Sequence, residues 1–148
     1  MARLWRISNY ADLSGMGGLR FSARWHNKGK PIVYAAESPA GAMVEMLVHL
    51  DRDLMPDNFQ LVEIALEAKT TIAEISVADM PDVWQADLKV TRGIGDAWLA
   101  GASSLALRVP SVIVPETWNV LLNPLHPAAS AMKVVAVLKA PLDARLRS

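Results

Sequence analysis

The sequence predicts a single domain of the α+β class. Its 148 residues are 52% hydrophobic and 20% charged, a composition typical of one ordered domain with a buried core. Segments with strand patterns outnumber segments with helix patterns, and the two kinds do not alternate regularly. That order favours α+β over a doubly wound parallel sheet. No repeat, low-complexity tract or linker divides the chain, so residues 1–148 are expected to form one domain.

Short apolar or alternating segments predict the strands. In residues 31–36, Ile32, Tyr34 and Ala36 are expected on one face of a strand, with Val33 and Ala35 on the other. In residues 59–68, polar and apolar residues alternate, as is typical of a half-buried strand with one solvent-exposed face. Residues 15–18 predict a flexible glycine-rich loop, and residues 71–77 fit no single element. The remaining predicted strands are residues 5–10, 105–109, 112–114 and 132–140.

Two segments predict helices. Ser38 and Pro39 are suited to the N-cap and first position of a helix that continues to about residue 50. Residues 40–50 are almost entirely apolar, so this helix is expected to be buried nearly all round. Residues 91–103 predict a second helix, although Gly93 and Gly95 weaken its first turn.

Charge and composition exclude several functions. The 15 basic and 15 acidic residues cancel, whereas a nucleic-acid-binding domain usually carries a basic excess. The absence of cysteine excludes disulfides and thiolate sites and suits a reducing compartment. No signal-peptide core and no apolar run of about 20 residues is visible. We therefore expect a soluble cytoplasmic protein that binds neither nucleic acid nor membranes directly.

Familiar catalytic motifs are also missing. The glycines at 15–18 and 93–95 lack the third glycine of a dinucleotide fingerprint, and residues 29–30 lack the rest of a P-loop. Residues 101–105 do not complete a nucleophile elbow. His26, His49 and His126 are too far apart to predict a metal site.

Glu45 is the most unusual residue of the apolar helix. It either faces solvent or an arginine, or it lies in a cleft, because an unpaired buried carboxylate is costly. Before the strand at 31–36, Arg24 offers a planar fork of donors for a phosphate or carboxylate, and Arg20 is a rival. Tyr34 is either a core residue or an aromatic face against which a cationic ring stacks.

Polar residues of the second half supply further candidates. Ser111 follows a proline between apolar segments, where it is either a turn serine or a hydroxyl displayed in a pocket. Asn119, Asn123 and His126 are expected in a proline-stiffened loop. They either donate hydrogen bonds to a ligand or satisfy the backbone of that loop.

Taken together, these segments resemble the RES-domain family, which is named for an arginine, a glutamate and a serine. The matching stretches span residues 5–140 in the family's order: residues 24–29, 33–35, 38–45, 94–99, 108–112 and 119–127. The family often has two glycines before the arginine and Asn-Pro after the following tryptophan. Here those positions are Ser22-Ala23 and His26-Asn27, so Arg20 stays open beside Arg24.

The resemblance implies a compact fold similar to ADP-ribosyltransferases, with mixed β-sheets and short helices around a central NAD cleft. It implies a toxin of a toxin–antitoxin pair that cleaves the nicotinamide N-glycosidic bond of NAD+, a substrate rather than a cofactor, and so arrests growth. Arg24, Tyr34, Glu45 and Ser111 would be catalytic, with Asn119, Asn123 and His126 assisting substrate binding.

Several features of this activity stay open. The acceptor of ADP-ribose is phosphate, water or a protein, the last making the chain a mono-ADP-ribosyltransferase, and a non-catalytic NAD-binding module is the second alternative. The implied partner is an Xre-type helix-turn-helix antitoxin that occludes the active site. Neither its gene nor the oligomeric state, including a homodimer, follows from the sequence.

Overall fold

A computed structural model describes residues 2–147 and gives the chain the predicted α+β architecture. Within those residues, seven strands form one sheet with the order β4-β5-β6-β2-β1-β3-β7. The β4 and β5 strands are parallel, and the other neighbouring pairs are antiparallel. The strands are β1 (Ala2–Ile7), β2 (Val33–Ala36), β3 (Asn58–Leu66), β4 (Ile72–Glu74), β5 (Ala106–Pro110), β6 (Trp118–Leu122) and β7 (Met132–Pro141).

The sheet has a weak seam in its middle. The β1 and β2 strands meet through one residue pair, Trp5 and Ala36. By contrast, all of β1 from Ala2 to Ile7 pairs with β3, and all of β2 pairs with β6. The two well-paired halves therefore diverge at the seam, which leaves space for a cleft.

Three α-helices accompany the sheet in the described part of the chain: α1 (Gly17–Arg20), α2 (Pro39–His49) and α3 (Leu88–Gly101). As predicted, Ser38 caps α2, its hydroxyl oxygen accepting the Gly41 amide at 2.9 Å. Asp87 caps α3 by accepting the amides of Lys89 and Val90. No helix within residues 2–147 is both long and apolar enough to cross a bilayer.

The predicted alternation of β2 separates two hydrophobic clusters. Val33 and Ala35 belong to a cluster that includes Leu4, Val62 and Ile64. Ile32 belongs to the other cluster, and Tyr34 packs against it. The second cluster consists of Trp25, Ile32, Met80, Trp84, Trp98, Leu99, Leu107, Val109 and Leu121.

Two predictions about strands were wrong. Residues 112–114 do not form a strand, because the Ser111 hydroxyl accepts the amides of Ile113 and Val114 and holds them in a turn. A strand was missed at β6, so Asn119 lies in the sheet rather than in the proline-rich loop.

The burial of α2 was also overestimated. This helix contacts β1 and β2 on one side, and Ala42 is its single fully buried residue. Val48 remains 57% exposed. The glycine-rich loop at residues 15–18, predicted to be flexible, overlaps the short helix α1.

Candidate functional site

A cleft of about 870 Å³ opens where the two halves of the sheet diverge. Its volume lies within the range of small-molecule sites. Both seam residues, Trp5 and Ala36, line it, together with residues of α2 and the start of α3. The cleft therefore lies at the short pairing of β1 with β2.

The register of the central strands brings two predicted residues to one side of the sheet. Ala36 of β2 lies opposite Asn119 of β6, and Tyr34 lies opposite Leu121. Residues directly opposite in an antiparallel pair share a face, as do alternate residues of one strand. Tyr34, Ala36 and Asn119 therefore project from the same face, and all three line the cleft.

Glu45 enters this cleft from α2. Its Oε1 accepts a hydrogen bond of 2.8 Å from Nδ2 of Asn119, and its Oε2 lies 3.7 Å from Nε2 of His49. The Glu45 side chain is 30% exposed, whereas that of His49 is 68% exposed at the rim. The carboxylate is thus held in a fixed position while one part of it stays accessible to a ligand.

Ser111 lies beside the same carboxylate. Its hydroxyl oxygen is 3.5 Å from Oε1 of Glu45 and also accepts the amides of Ile113 and Val114. The turn interpretation of this serine therefore has support, and the serine also contacts the candidate catalytic group, although it is not among the residues that line the cleft. At 8% exposure it is less accessible than Glu45, whose side chain is 30% exposed.

The hydroxyl of Tyr34 is already engaged. It accepts the Trp25 amide at 3.1 Å and lies 2.7 Å from Nδ1 of His26. The Nε2 atom of His26 is 3.2 Å from the Gly18 carbonyl. Burial raises the pKa of Tyr34 far above neutrality, so its hydroxyl stays protonated and is unsuited to act as a base. The ring face is the part of Tyr34 that remains for a ligand.

Arg24, rather than its rival Arg20, lines the cleft. One terminal nitrogen of Arg24 donates to the Gln85 carbonyl at 3.0 Å, which anchors the guanidinium at the cleft. Arg20 ends α1 and is exposed. The geometry therefore favours Arg24 as the ligand-binding arginine.

Two further arginines line the cleft and were not identified from the sequence. Arg6 of β1 donates to the Asp12 carbonyl and the Ser8 hydroxyl, and burial lowers its pKa. Arg92 of α3 donates from Nε to the Ala23 carbonyl at 2.8 Å. Arg92 lies two residues before the stretch 94–99 that resembles the family, and no local pattern in the sequence marked it as a site residue.

Asn123 and His126 do not join the other candidates. Asn123 is 2% exposed, and its side chain bonds the Leu99 carbonyl and the Leu125 amide. His126 accepts the Ala128 amide and lines a separate small pocket. Both residues satisfy local backbone groups, the second of the two roles considered for them.

The described residues contain no group of three or more histidine, aspartate or glutamate side chains placed to hold a metal ion. The polar side chains of the cleft include arginines, one carboxylate, amides and hydroxyls. Such a set can bind anionic groups of a ligand while placing one negative charge beside a centre that becomes positive.

Comparison with known proteins identifies the class to which this fold and site belong. The RES domain family profile matches residues 3–144. Toxin Res of Pseudomonas putida is 47% identical over 133 residues, covering 88% of this chain and 90% of that protein. Toxin Res of Yersinia enterocolitica is 36% identical over 137 residues, covering 90% of each. The chain therefore belongs to the RES-domain toxin family.

Two other similarities bear on the chain. The Prs ADP-ribosylating toxin of Sphingobium sp. is 39% identical over 153 residues, covering 96% of this chain and 94% of that protein. A chain in the crystal structure of the M. tuberculosis MbcT–MbcA toxin–antitoxin complex superposes with a TM-score of 0.76 at 15% identity. That superposition covers 94% of this chain and 84% of the other, and it supports the fold.

Proposed function

We propose that this protein is the toxin of a toxin–antitoxin pair and that it consumes NAD+ by cleaving the bond between nicotinamide and ribose. The observation that carries the proposal is the Glu45 carboxylate, held by Asn119 in a cleft that Arg24, Arg6 and Arg92 also line. A carboxylate among arginines matches a substrate with anionic phosphates and one carbon that becomes cationic.

The chemistry follows from that charge distribution. As the ribose–nicotinamide bond breaks, its electron pair leaves with the ring nitrogen, and neutral nicotinamide departs without needing a proton. Positive charge then develops on the ribose. Glu45 stabilises this oxocarbenium-like state, in the way that a carboxylate does in glycoside hydrolysis.

The other residues orient the substrate. Arg24 binds the phosphates, and fixing them holds the reacting bond beside Glu45. The Tyr34 ring stacks on the cationic nicotinamide, since its hydroxyl is occupied by Trp25 and His26. Ser111 supports the Glu45 carboxylate through a contact of 3.5 Å.

The cation is captured by an acceptor in the last step. If the acceptor is phosphate, one of its oxygens bonds to the ribose carbon and the enzyme is a phosphorylase. If it is water, a proton is lost to solvent and the enzyme is a glycohydrolase. In both cases NAD+ is consumed as a substrate, no metal takes part, and falling NAD+ in the cytoplasm arrests growth.

The relatives and the fold neighbour suggest the partner. The neighbour was solved as a toxin–antitoxin complex, which supports an antitoxin here as well. We propose an Xre-type helix-turn-helix antitoxin that covers the cleft. The antitoxin, rather than this chain, would bind DNA, in keeping with the zero net charge of this chain.

A second candidate function is transfer of ADP-ribose to a protein. It is favoured by the relative named Prs ADP-ribosylating toxin, which is 39% identical to this chain. The same cleft and the same first step serve both reactions, and they differ in the acceptor that captures the ribose.

Nicotinamide release tests these assignments. The purified chain, free of any partner, is incubated with NAD+ in the presence and absence of phosphate. Release that requires phosphate identifies a phosphorylase, and release without it identifies a glycohydrolase. Release that requires an added protein, with ADP-ribose attached to it, identifies the transferase. Binding of NAD+ without release under all these conditions would mean a non-catalytic module.

A further inference from the structure

The start of α3 is hydrogen-bonded to the segment that carries Arg24. The Thr91 hydroxyl donates to the Arg24 carbonyl at 2.6 Å, and Nε of Arg92 donates to the neighbouring Ala23 carbonyl at 2.8 Å. One turn later, Asp96 accepts both the amide and the side-chain nitrogen of Asn27. The start of α3, which carries Arg92, is therefore bonded directly to the backbone of the segment that carries Arg24.

Both guanidinium groups have N–H donors beyond those used in their bonds to backbone carbonyls. Arg24 uses one terminal nitrogen for the Gln85 carbonyl, and Arg92 uses Nε for the Ala23 carbonyl. Within residues 2–147, neither group forms a salt bridge with a carboxylate. Since an arginine has five N–H donors, each retains a set of donors for a ligand.

The positive charge of this pair is not cancelled locally. Among the residues that line the cleft, Glu45 is the carboxylate, and its contacts are with Asn119, Ser111 and His49. Asp96 is held by Asn27 and does not line the cleft.

The charges of both arginines also act on Tyr34, which lines the same cleft. Burial is the largest influence on the pKa of Tyr34 and raises it, whereas the charges of Arg92 and Arg24 both lower it. Both guanidinium groups therefore lie close enough to Tyr34 to act on its phenol. Arg24, Arg92 and Tyr34 all line the cleft, and the bond from Arg92 to the Ala23 carbonyl places its guanidinium beside the Arg24 segment.

We propose that Arg92 and Arg24 together form a diphosphate-binding site, in which Arg92 is a second substrate-binding arginine. Each fork would bind one phosphate of a nucleoside diphosphate group, the geometry in which guanidinium recognises phosphate best. The inference rests on the proposed function, and it adds a specificity: ligands with two adjacent phosphates bind better than ligands with one.

The test compares ADP, AMP and adenosine as probes, with dissociation constants measured by calorimetry on the purified chain. Wild type is expected to prefer ADP to AMP. R92Q should weaken ADP binding roughly 10-fold or more and remove that preference, while adenosine binds as before. R92K, which keeps the charge but loses the fork, should be intermediate. R20Q is the matched control, because it removes the same charge from an exposed position outside the cleft.

Kinetics on NAD+ provide a readout that a structural defect would not mimic. R92Q should raise KM roughly 10-fold and leave kcat within about twofold, since the lost contact binds substrate and transition state alike. Unchanged ADP affinity in R92Q, or an equal loss for adenosine, overturns the inference. Absence of nicotinamide release by wild type that still prefers ADP overturns the proposed function alone. Failure of wild type to bind ADP overturns the inference.

Discussion

The hydroxyl oxygen of Tyr34 lies 2.7 Å from Nδ1 of His26, and the imidazole completes a buried chain of polar contacts. Because the hydroxyl accepts the Trp25 amide, its own proton is available for Nδ1. The other ring nitrogen of His26 then carries the proton that faces the Gly18 carbonyl. A neutral His26 fits this pattern, and through it the imidazole links the Tyr34 hydroxyl at the cleft to the Gly18 carbonyl.

The first prediction concerns pH and follows from this neutral imidazole. Burial lowers the pKa of His26 from its usual 6.5, outweighing the Gly18 carbonyl and Asp96, which raise it, and adding to the smaller effect of Arg92. The unfolded chain therefore gains a proton near pH 6.5 that the folded chain does not. The free energy of unfolding should fall as the pH drops below 6.5, by at most about 1.4 kcal/mol per unit from this residue.

Denaturant titrations of wild type and H26Q between pH 7.5 and 5 check this prediction. Glutamine can replace both contacts of the imidazole but does not titrate in this range. The H26Q curve should be flatter than that of wild type below pH 6.5. Parallel curves would show that His26 does not cause the acid sensitivity.

The second prediction concerns the close approach of α3 to Trp25. A Cβ atom at Gly95 would lie 1.6 Å from the Trp25 carbonyl oxygen, a distance that forces the helix away from the Arg24 segment. G95A should therefore destabilise the protein by several kcal/mol or prevent folding, as overpacking against backbone does.

Gly93 provides the matched control on the same helix. A Cβ atom there meets nothing within 4 Å, so G93A should stabilise the protein by about 0.5–1 kcal/mol through helix propensity. Thermal unfolding of the two variants should shift in opposite directions. Equal shifts would refute the close contact.

The third prediction concerns the support of Glu45 by Asn119. N119D replaces the amide donor, 2.8 Å from Oε1 of Glu45, with a second carboxylate of nearly the same shape. Two like charges ~4 Å apart repel by about 4 kcal/mol near a protein surface. At neutral pH the rate of nicotinamide release should therefore fall at least roughly 10-fold, since 1.4 kcal/mol corresponds to a factor of ten.

The N119A variant separates the effect of charge repulsion from the effect of losing the hydrogen bond between Asn119 and Glu45. It removes the donor without adding charge, and it also removes Oδ1 of Asn119, a buried acceptor without a partner within residues 2–147. Its loss of activity should be smaller than that of N119D. The idea fails if N119D matches wild type, or if N119A is the more impaired of the two variants.

Local signals in the sequence predicted much of the fold. The serine cap of α2, the alternation of β2 and the apolar run of β7 are each visible in residues that are close along the chain. The β6 strand was missed because Pro115 and Pro124 flank it, and its pairing with β2 is a long-range contact. Periodicity does not report such pairing.

The site was predicted only in part, again because local patterns do not report long-range contacts. The resemblance indicated Arg24, Tyr34 and Glu45, and the fold brings all three to one cleft. Arg92 and the role of His26 could not be predicted, because they depend on α3 packing along residues 23–27 and on the position of Tyr34 beside Gly18. These contacts join parts of the chain that no local pattern connects.

The most direct test of the proposed function is nicotinamide release from NAD+ by E45Q. Glutamine can still accept the Asn119 bond through its carbonyl oxygen, so the fold should be preserved while the negative charge is lost. E67Q is the matched control, because Glu67 is exposed and lies outside the cleft. We expect E67Q to match wild type and E45Q to release nicotinamide at least roughly 100-fold more slowly. Folded E45Q with a rate within a few-fold of wild type would contradict the assignment of Glu45 as the catalytic carboxylate.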